Sequence, residues 1–331
     1  MPGCPADLHR LRLRWREVAG PVAVTGREAV TAGVRPIGTD GVRFVSYSEV
    51  MKHLARPRTF QDRVCYGLST MDAAAARLEF QPVNYFANID IGEALAHEYA
   101  LAAEKMPSPG WPDLPLRRLI GDPLDVSRRP IPVAISTLVI RTASTGYPHM
   151  VLHWRDPAKV ATGGGLFQVA PVGVFQPSHD AAWNLRHDFD LWRSILRELN
   201  EELLGGHEDY NSSQQPIDYA GWPLARRLDE ARRAGRMKAF WLGAGIDPLT
   251  LVCDLLCVVC LHADVFDTVF ADIVSNNDEG RLIRAEDSTG TTVGVPFTAE
   301  TVARYASKEP MQPAGAAVLR LAWRHRDVIL R

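Results

Sequence analysis

The chain has 331 residues, room at roughly 150 residues per domain for two domains or for one with a large appendage. Lys and Arg (37) against Asp and Glu (39) leave a formal charge of -2, which excludes a nucleic-acid binder that works by bulk positive charge. The longest apolar run, residues 249–263, is broken by Asp254 and His262 and falls short of the roughly 20 residues a membrane span needs. Residues 1–16 hold four arginines and no continuous apolar stretch, unlike a secretory signal. The five cysteines, Cys4, Cys65, Cys253, Cys257 and Cys260, are an odd number in a chain with an ample core, so a reducing, cytoplasmic setting is expected rather than a disulfide framework.

Taken in order, residues 8–18 satisfy both helical and strand periodicity, with Arg10, Arg12, Arg14 and Arg16 forming a solvated face or a phosphate contact. Residues 71–78 and 91–105 have helical character, and the Pro- and Gly-rich residues 106–115 read as a long loop. From residue 131 the character changes. Residues 131–141 and 150–154 are β-branched, apolar strands around a turn, residues 162–165 are a flexible Gly loop, and residues 166–176 are a further strand. Residues 190–204 are the clearest helix, stopped by Gly205 and Gly206. Residues 251–270 combine strand and helix, residues 276–280 are a turn, and residues 299–306 and 314–324 close the chain as helices.

On the helix at 190–204, about 100° per residue puts Trp192, Ile195, Leu196, Leu199 and Leu203 on one face and Glu198, Glu201 and Glu202 on another. Three carboxylates so placed repel by a few tenths of a kcal/mol per pair unless a cation sits among them or solvent separates them. A hard divalent ion is one such cation, since it takes carboxylate oxygens, keeps waters, and shares its remaining positions with phosphates. The bland alternative is a solvated acidic face partly neutralised by Arg193 and Arg197.

The run Arg197-Glu198-Leu199-Asn200-Glu201-Glu202 resembles the centre of the Nudix signature, and Pro171-Val172-Gly173 before it is similar to the strand that leads into that family's signature loop. The resemblance implies an α/β (α+β) fold, a Nudix-like α/β/α sandwich with a mixed sheet over residues 126–331, with residues 1–125 as an N-terminal extension or accessory domain of mixed structure. It departs from the family at three places. The segment from Gly173 to Arg197 is ten residues longer than the family pattern. The family's isolated Glu falls on His179 counting forward or on Phe189, between Asp188 and Asp190, counting back; the terminal Gly is displaced from 204 to Gly205.

The activity implied is metal-dependent hydrolysis of a pyrophosphate bond in a nucleoside-diphosphate-linked substrate. Glu198, Glu201 and Glu202 would hold Mg²⁺ or Mn²⁺, Arg197 would orient a glutamate, and the Gly173 carbonyl would complete the shell. Glu202 or Glu279 would serve as general base, and Gly173, His179 and His187 would meet substrate. Partners would be a nucleotide or other diphosphate and a second copy of the chain, with no membrane or nucleic acid. A Nudix-like nucleotide-binding or regulatory protein without the chemistry is the alternative.

Other constellations carry less. Cys253, Cys257, Cys260 and His262 invite a zinc reading but lack paired knuckle spacing and lie in an apolar run suited to a core strand. His149, His153 and Trp154 suit either strand packing or stacking on a base. Gly163-Gly164-Gly165 is followed by no Lys-Ser/Thr, so it is no P-loop. A Gly-x-Ser-x-Gly elbow is absent.

Overall fold

A computed structural model describes residues 4–57, 60–142, 146–159, 163–273, 280–283 and 294–331. The chain opens with strands β1 (Ala6–Asp7) and β2 (Arg12–Trp15), then helix α1 (Tyr47–Leu54), whose first turn is capped by the Ser46 hydroxyl. A hairpin of β3 (Val64–Asp72) and β4 (Arg77–Asn84) runs straight into helix α2 (Tyr85–Lys105), and α3 (Pro115–Ile120) follows. Next come β5 (Val133–Thr142), β6 (His149–Met150), β7 (Leu152–Arg155), β8 (Phe167–Val169) and β9 (Val172–Val174). Helices α4 (Asn184–His187) and α5 (Leu191–Glu198) lead into a π-turn, Leu199–Leu203. The chain continues through α6 (Pro223–Arg233), β10 (Met237–Ile246), β11 (Cys253–His262) and α7 (Ala263–Val269). It ends with β12 (Gly280–Ile283), β13 (Val295–Pro296), α8 (Ala299–Ser307), α9 (Pro313–Arg324) and α10 (Arg326–Ile329).

The architecture is mixed α/β, as the sequence implies. The central sheet runs β1-β10-β11-β5-β6-β13, and β5 carries β9 on the same edge as β6. Strand β11 lies parallel to β5, with Cys253 opposite Val133, and antiparallel to β10. The free edge of β5 is divided: Ala134 to Ser136 pair with β9, and Ile140 and Arg141 pair with β6. Two three-stranded sheets, β12-β7-β8 and β2-β4-β3, flank it. The second is stitched on where Tyr66 N donates to Phe175 O and Leu68 N to Ile131 O, both at 2.9 Å.

Strand alternation sends the side chains of β11 to two different cores. Cys253, Leu255, Cys257, Val259 and Leu261 pack with residues of α5, α6 and α7, whereas Leu256, Val258 and Cys260 pack with α8 and α9. The first core also takes Leu8, Trp15, Tyr66, Leu68, Leu78 and Phe80, so strands from the first 125 residues bury their apolar sides against the central sheet. A third cluster joins Tyr47, Val50, Ile89, Leu95, Leu116 and Ile120 from α1, α2 and α3.

Residues 71–78, expected as helix, instead finish β3, turn, and begin β4. The alanines there have helical propensity, but Asp72 Oδ1 accepts from Ala75 N at 3.0 Å, Ala76 takes a positive φ of 48°, and cross-strand pairing from Leu68 to Asp72 holds the hairpin. Within residues 8–18 a 3-10 turn, Leu8–Arg10, precedes the strand Arg12–Trp15, with Arg14 and Arg16 ion-paired to Glu79 at 3.4 and 3.0 Å, so that part of the arginine row faces an internal carboxylate. The loop expected at 106–115 contains a 3-10 turn, Trp111–Asp113, before α3. Among the described residues no helix is long and apolar enough to cross a membrane.

The predicted apolar face of α5 is the one that packs: Trp192, Ile195, Leu196, Leu199 and Leu203 are all buried in the first core. Asp190 caps the helix, accepting from Arg193 N at 2.9 Å. Leu199 has no exposed surface. Leu199→Ala should therefore lower unfolding stability by about 2–5 kcal/mol, read as a fall in the urea midpoint with an unchanged slope.

Candidate functional site

Helix α5 does not run straight through the acidic segment. After Glu198 it opens into the π-turn, in which each bond spans one residue more than in an α-turn, and Gly206 N reaches back to Asn200 O at 2.8 Å. Gly205 then stops the helix at φ 68°, a left-handed position that suits glycine.

Two of the three acids meet at one dipeptide. Glu202 is buried, and its Oε1 accepts from Val172 N at 2.6 Å. Glu198 lies over the next residue: a Cβ on Gly173 would run into its carboxylate. Glycine at 173 is thus required by close approach rather than by its dihedrals. Glu201 is turned elsewhere, accepting from the Tyr210 hydroxyl at 2.8 Å. His153 on β7, also buried, stands with Nδ1 3.8 Å from Glu202 Oε2.

Arg197 is buried and built into a network on the other side of the helix. It donates to the Tyr219 hydroxyl at 2.6 Å, the Gln176 carbonyl at 2.7 Å and Ser194 Oγ at 3.2 Å, and lies 3.8 Å from Asp188. Asp188, fully buried, accepts from the Tyr219 hydroxyl, Ser178 N and Ser178 Oγ. Burial works against the guanidinium charge, yet Tyr219 and Asp188 offset it and hold the pKa above the ordinary value. Burial also pushes the Tyr219 hydroxyl up, keeping it a neutral donor to Asp188. Asp188 is the carboxylate Arg197 meets in these contacts, and the Glu198 charge also acts on the guanidinium.

His187 Nε2 donates to Ile217 O at 2.7 Å, and its ring leans on Tyr219 with centroids 5.5 Å apart. His179, exposed, accepts from Ala181 N through Nδ1 at 3.1 Å. These contacts tie the long insertion to itself and to the segment after the helix. Glu279 lies outside the described residues.

The donor chemistry around β9 is that of hard oxygens, which suits Mg²⁺ or Mn²⁺, and Mg²⁺ is commonly held by one or two carboxylates with substrate phosphates completing the shell. Glu198 and Glu202 at Val172 and Gly173 fit that lean site. Among the described residues no group of three or more His, Cys, Asp or Glu gathers to hold a metal ion. The zinc reading of the cysteines fails on geometry, because Cys253 and Cys257 face one core and Cys260 the other, while His262 is exposed and hydrogen-bonded to Asp264. Burial pushes the Cys253 and Cys260 thiols up to about 12, away from the thiolate a metal requires.

One acid in the central sheet was noted in the sequence only as a break in an apolar run. Asp254, 8% exposed on β11, accepts from Ser136 Oγ at 2.8 Å. Burial pushes its carboxyl up to about 6, the Ser136 bond pulling against it and the Asp247 charge adding to it. An aspartate inside a strand that otherwise reads Leu, Cys and Val is the signal that could have found it. His153 carried a weaker signal, a polar residue between Leu152 and Trp154, and Asp188 none beyond its nearness to the family's missing acid.

No family model matches the chain, and no curated protein matches it. Among solved structures it is similar to the crystal structure of a NUDIX hydrolase from Alicyclobacillus acidocaldarius, with 14% identity, a TM-score of 0.29, and coverage of 57% of this chain and 90% of that one. A superposition this loose fixes neither a sheet order nor an activity.

Two stability measurements check these environments. Arg197→Met leaves Asp188 buried opposite an apolar side chain and should cost about 3–5 kcal/mol in chemical denaturation. For Asp254 the folded pKa of about 6 lies above the ordinary 3.8, so the folded state binds the proton more tightly than the unfolded chain. Its contribution to stability is fully present below pH of about 4 and is lost as pH rises through about 6, on the order of 2–3 kcal/mol in all. Asp254→Asn should remove that fall between pH 4 and 7, and an unchanged pH profile would contradict the assignment.

Proposed function

We propose that the chain is a divalent-metal-dependent hydrolase of a diphosphate linkage in a nucleoside-diphosphate-type substrate, with the Nudix-like helix and its π-turn as the working element. The observation that carries this reading is the convergence of Glu198 and Glu202 on the Val172-Gly173 dipeptide, where the glycine leaves no room for anything but the carboxylate above it. Glu198 and Glu202 would hold the ion, which when bound supplies Lewis acidity toward phosphorus and lowers the pKa of a coordinated water.

The chain's own residues have distinct parts in this reading. The Val172 N–H orients Glu202 by donating to its Oε1 at 2.6 Å. His153, beside Oε2 of Glu202, is positioned to hold a proton near the site. Tyr210 fixes Glu201 at the rim, and the Arg197, Asp188 and Tyr219 network locks the insertion so that β9 and α5 keep their spacing. His179, His187 and Glu279 remain proposed substrate or base residues, to be tested singly.

The internal hydrogen bonds accepted by Glu201 and Glu202 favour a second reading, a nucleotide-binding protein on the same frame without turnover. A pooled panel of nucleoside-diphosphate-linked compounds with Mg²⁺ or Mn²⁺ separates the two. Release of a nucleoside monophosphate or phosphate is expected, abolished by chelator and reduced at least about 100-fold by Glu198→Gln or Glu202→Gln. Gly173→Ala, which displaces only the flexible end of Glu198, should lower turnover with little change in melting temperature. Tight binding with no release, indifferent to the Glu changes, would establish the second reading instead.

A further inference from the structure

We propose that Asp254 forms the floor of a nucleobase subsite on the central sheet, selecting ligands whose base carries an amino group; this rests on the diphosphate site proposed at Val172 and Gly173. On β11 the odd-numbered residues from Cys253 to Leu261 enter the α5 side of the core, so Asp254 belongs with Leu256, Val258 and Cys260 on the opposite face. Towards Cys260 that face is covered by α8 and α9. Towards Asp254 the cover thins: Ala134, Val172, Val174, Gly243 and Gly245 are all partly exposed.

The neighbours of Asp254 in the sheet are small. Gly245 pairs with it from β10 and Ala134 from β5, so on that face the carboxylate is flanked by positions with little or no side chain, the trough of the proposed subsite. Ser136 occupies Oδ1, and Oδ2 has no hydrogen-bond partner among the described residues, although the residue is more than nine-tenths buried. Oδ2 is not among the fully enclosed oxygens that lack a partner, so a donor can reach it from outside, and valine or leucine would serve packing better at this position in an apolar strand. The missing donor is supplied by a ligand.

Register ties the trough to the glutamates. Ser136 pairs with Val172 and Ala134 with Val174, so Asp254 is two strands away from β9, about 10 Å at ordinary strand spacing. That separation is of the order between the base and the phosphates of an extended nucleoside diphosphate. A planar ring fits a floor of glycine and alanine, and a carboxylate acceptor matches the exocyclic N–H of adenine, cytosine or guanine. It opposes the carbonyl edge of uracil.

Equilibrium binding of ADP, GDP, CDP and UDP to the full chain, measured calorimetrically without metal and then with Mg²⁺, tests this apart from catalysis. At least one amino-bearing diphosphate should bind about tenfold or more tighter than UDP. Asp254→Asn, nearly isosteric and able to keep the Ser136 bond, should erase that preference. Gly245→Val narrows the trough where an added Cβ meets only ordinary contact with Leu256, and should weaken all four ligands together. Equal affinity for the four diphosphates, or a preference that survives Asp254→Asn in a variant that still unfolds cooperatively, overturns the subsite. Base preference without any hydrolysis would instead leave the subsite standing and remove the hydrolase; hydrolysis with no base preference would do the reverse.

Discussion

The arrangement depends on one buried ionic couple, Arg197 with Asp188, completed by the hydroxyl of Tyr219. Burying a guanidinium beside a carboxylate this far from water is costly, and each is surrounded by further hydrogen bonds that offset the cost, from Gln176 O and Ser194 on one side and Ser178 on the other. Those partners come from the exit of β9, the start of the insertion, helix α5 and the segment beyond it. The couple therefore ties together four pieces of chain that would otherwise be related only through the apolar core. Its value lies in fixing their spacing more than in net stabilisation, since ion pairs of this kind roughly offset their own desolvation.

With that spacing fixed, the acidic helix can do something a straight α-helix would not. The π-turn rotates the residues after Glu198, so that Glu202 reaches the Val172 amide while Glu201 swings to Tyr210. Three acids that look equivalent on a helical projection thus acquire separate surroundings: one over a glycine, one bonded to backbone, one bonded to a phenol. The division of the β5 edge between β9 and β6 has a similar effect, because it leaves Val172 and Gly173 on a three-residue strand whose outer side is open to the helix.

What could be read from residue order was local and periodic. The apolar stripe of α5, the long strands at residues 131–141 and within 251–262, and the C-terminal helices follow from spacing alone, because the burial that enforces them repeats every few residues. The hairpin at residues 71–78 did not, since alanine favours a helix until pairing with β4 outweighs it. Nor did the partners of the charged groups. Asp188 serves Arg197 across an insertion of no fixed periodicity, and Ser136 meets Asp254 from 118 positions away, a relation that only the parallel register of β5 and β11 creates. The motif around Arg197 located the region, while the chemistry of each side chain in it was decided by contacts outside the motif.

The two-sided character of β11 has a practical corollary. Its three thiols are shared between opposite cores, Cys65 is buried as well, and Cys4 alone is exposed. In the native protein an alkylating reagent therefore meets a single reactive handle near one end of the chain, and each β11 sulfur modified thereafter counts an opening of the central sheet, Cys65 reporting on the β2-β4-β3 sheet instead. Mass spectrometry of labelled protein thereby becomes a clock for breathing of the central strands, reporting from both of their sides at once.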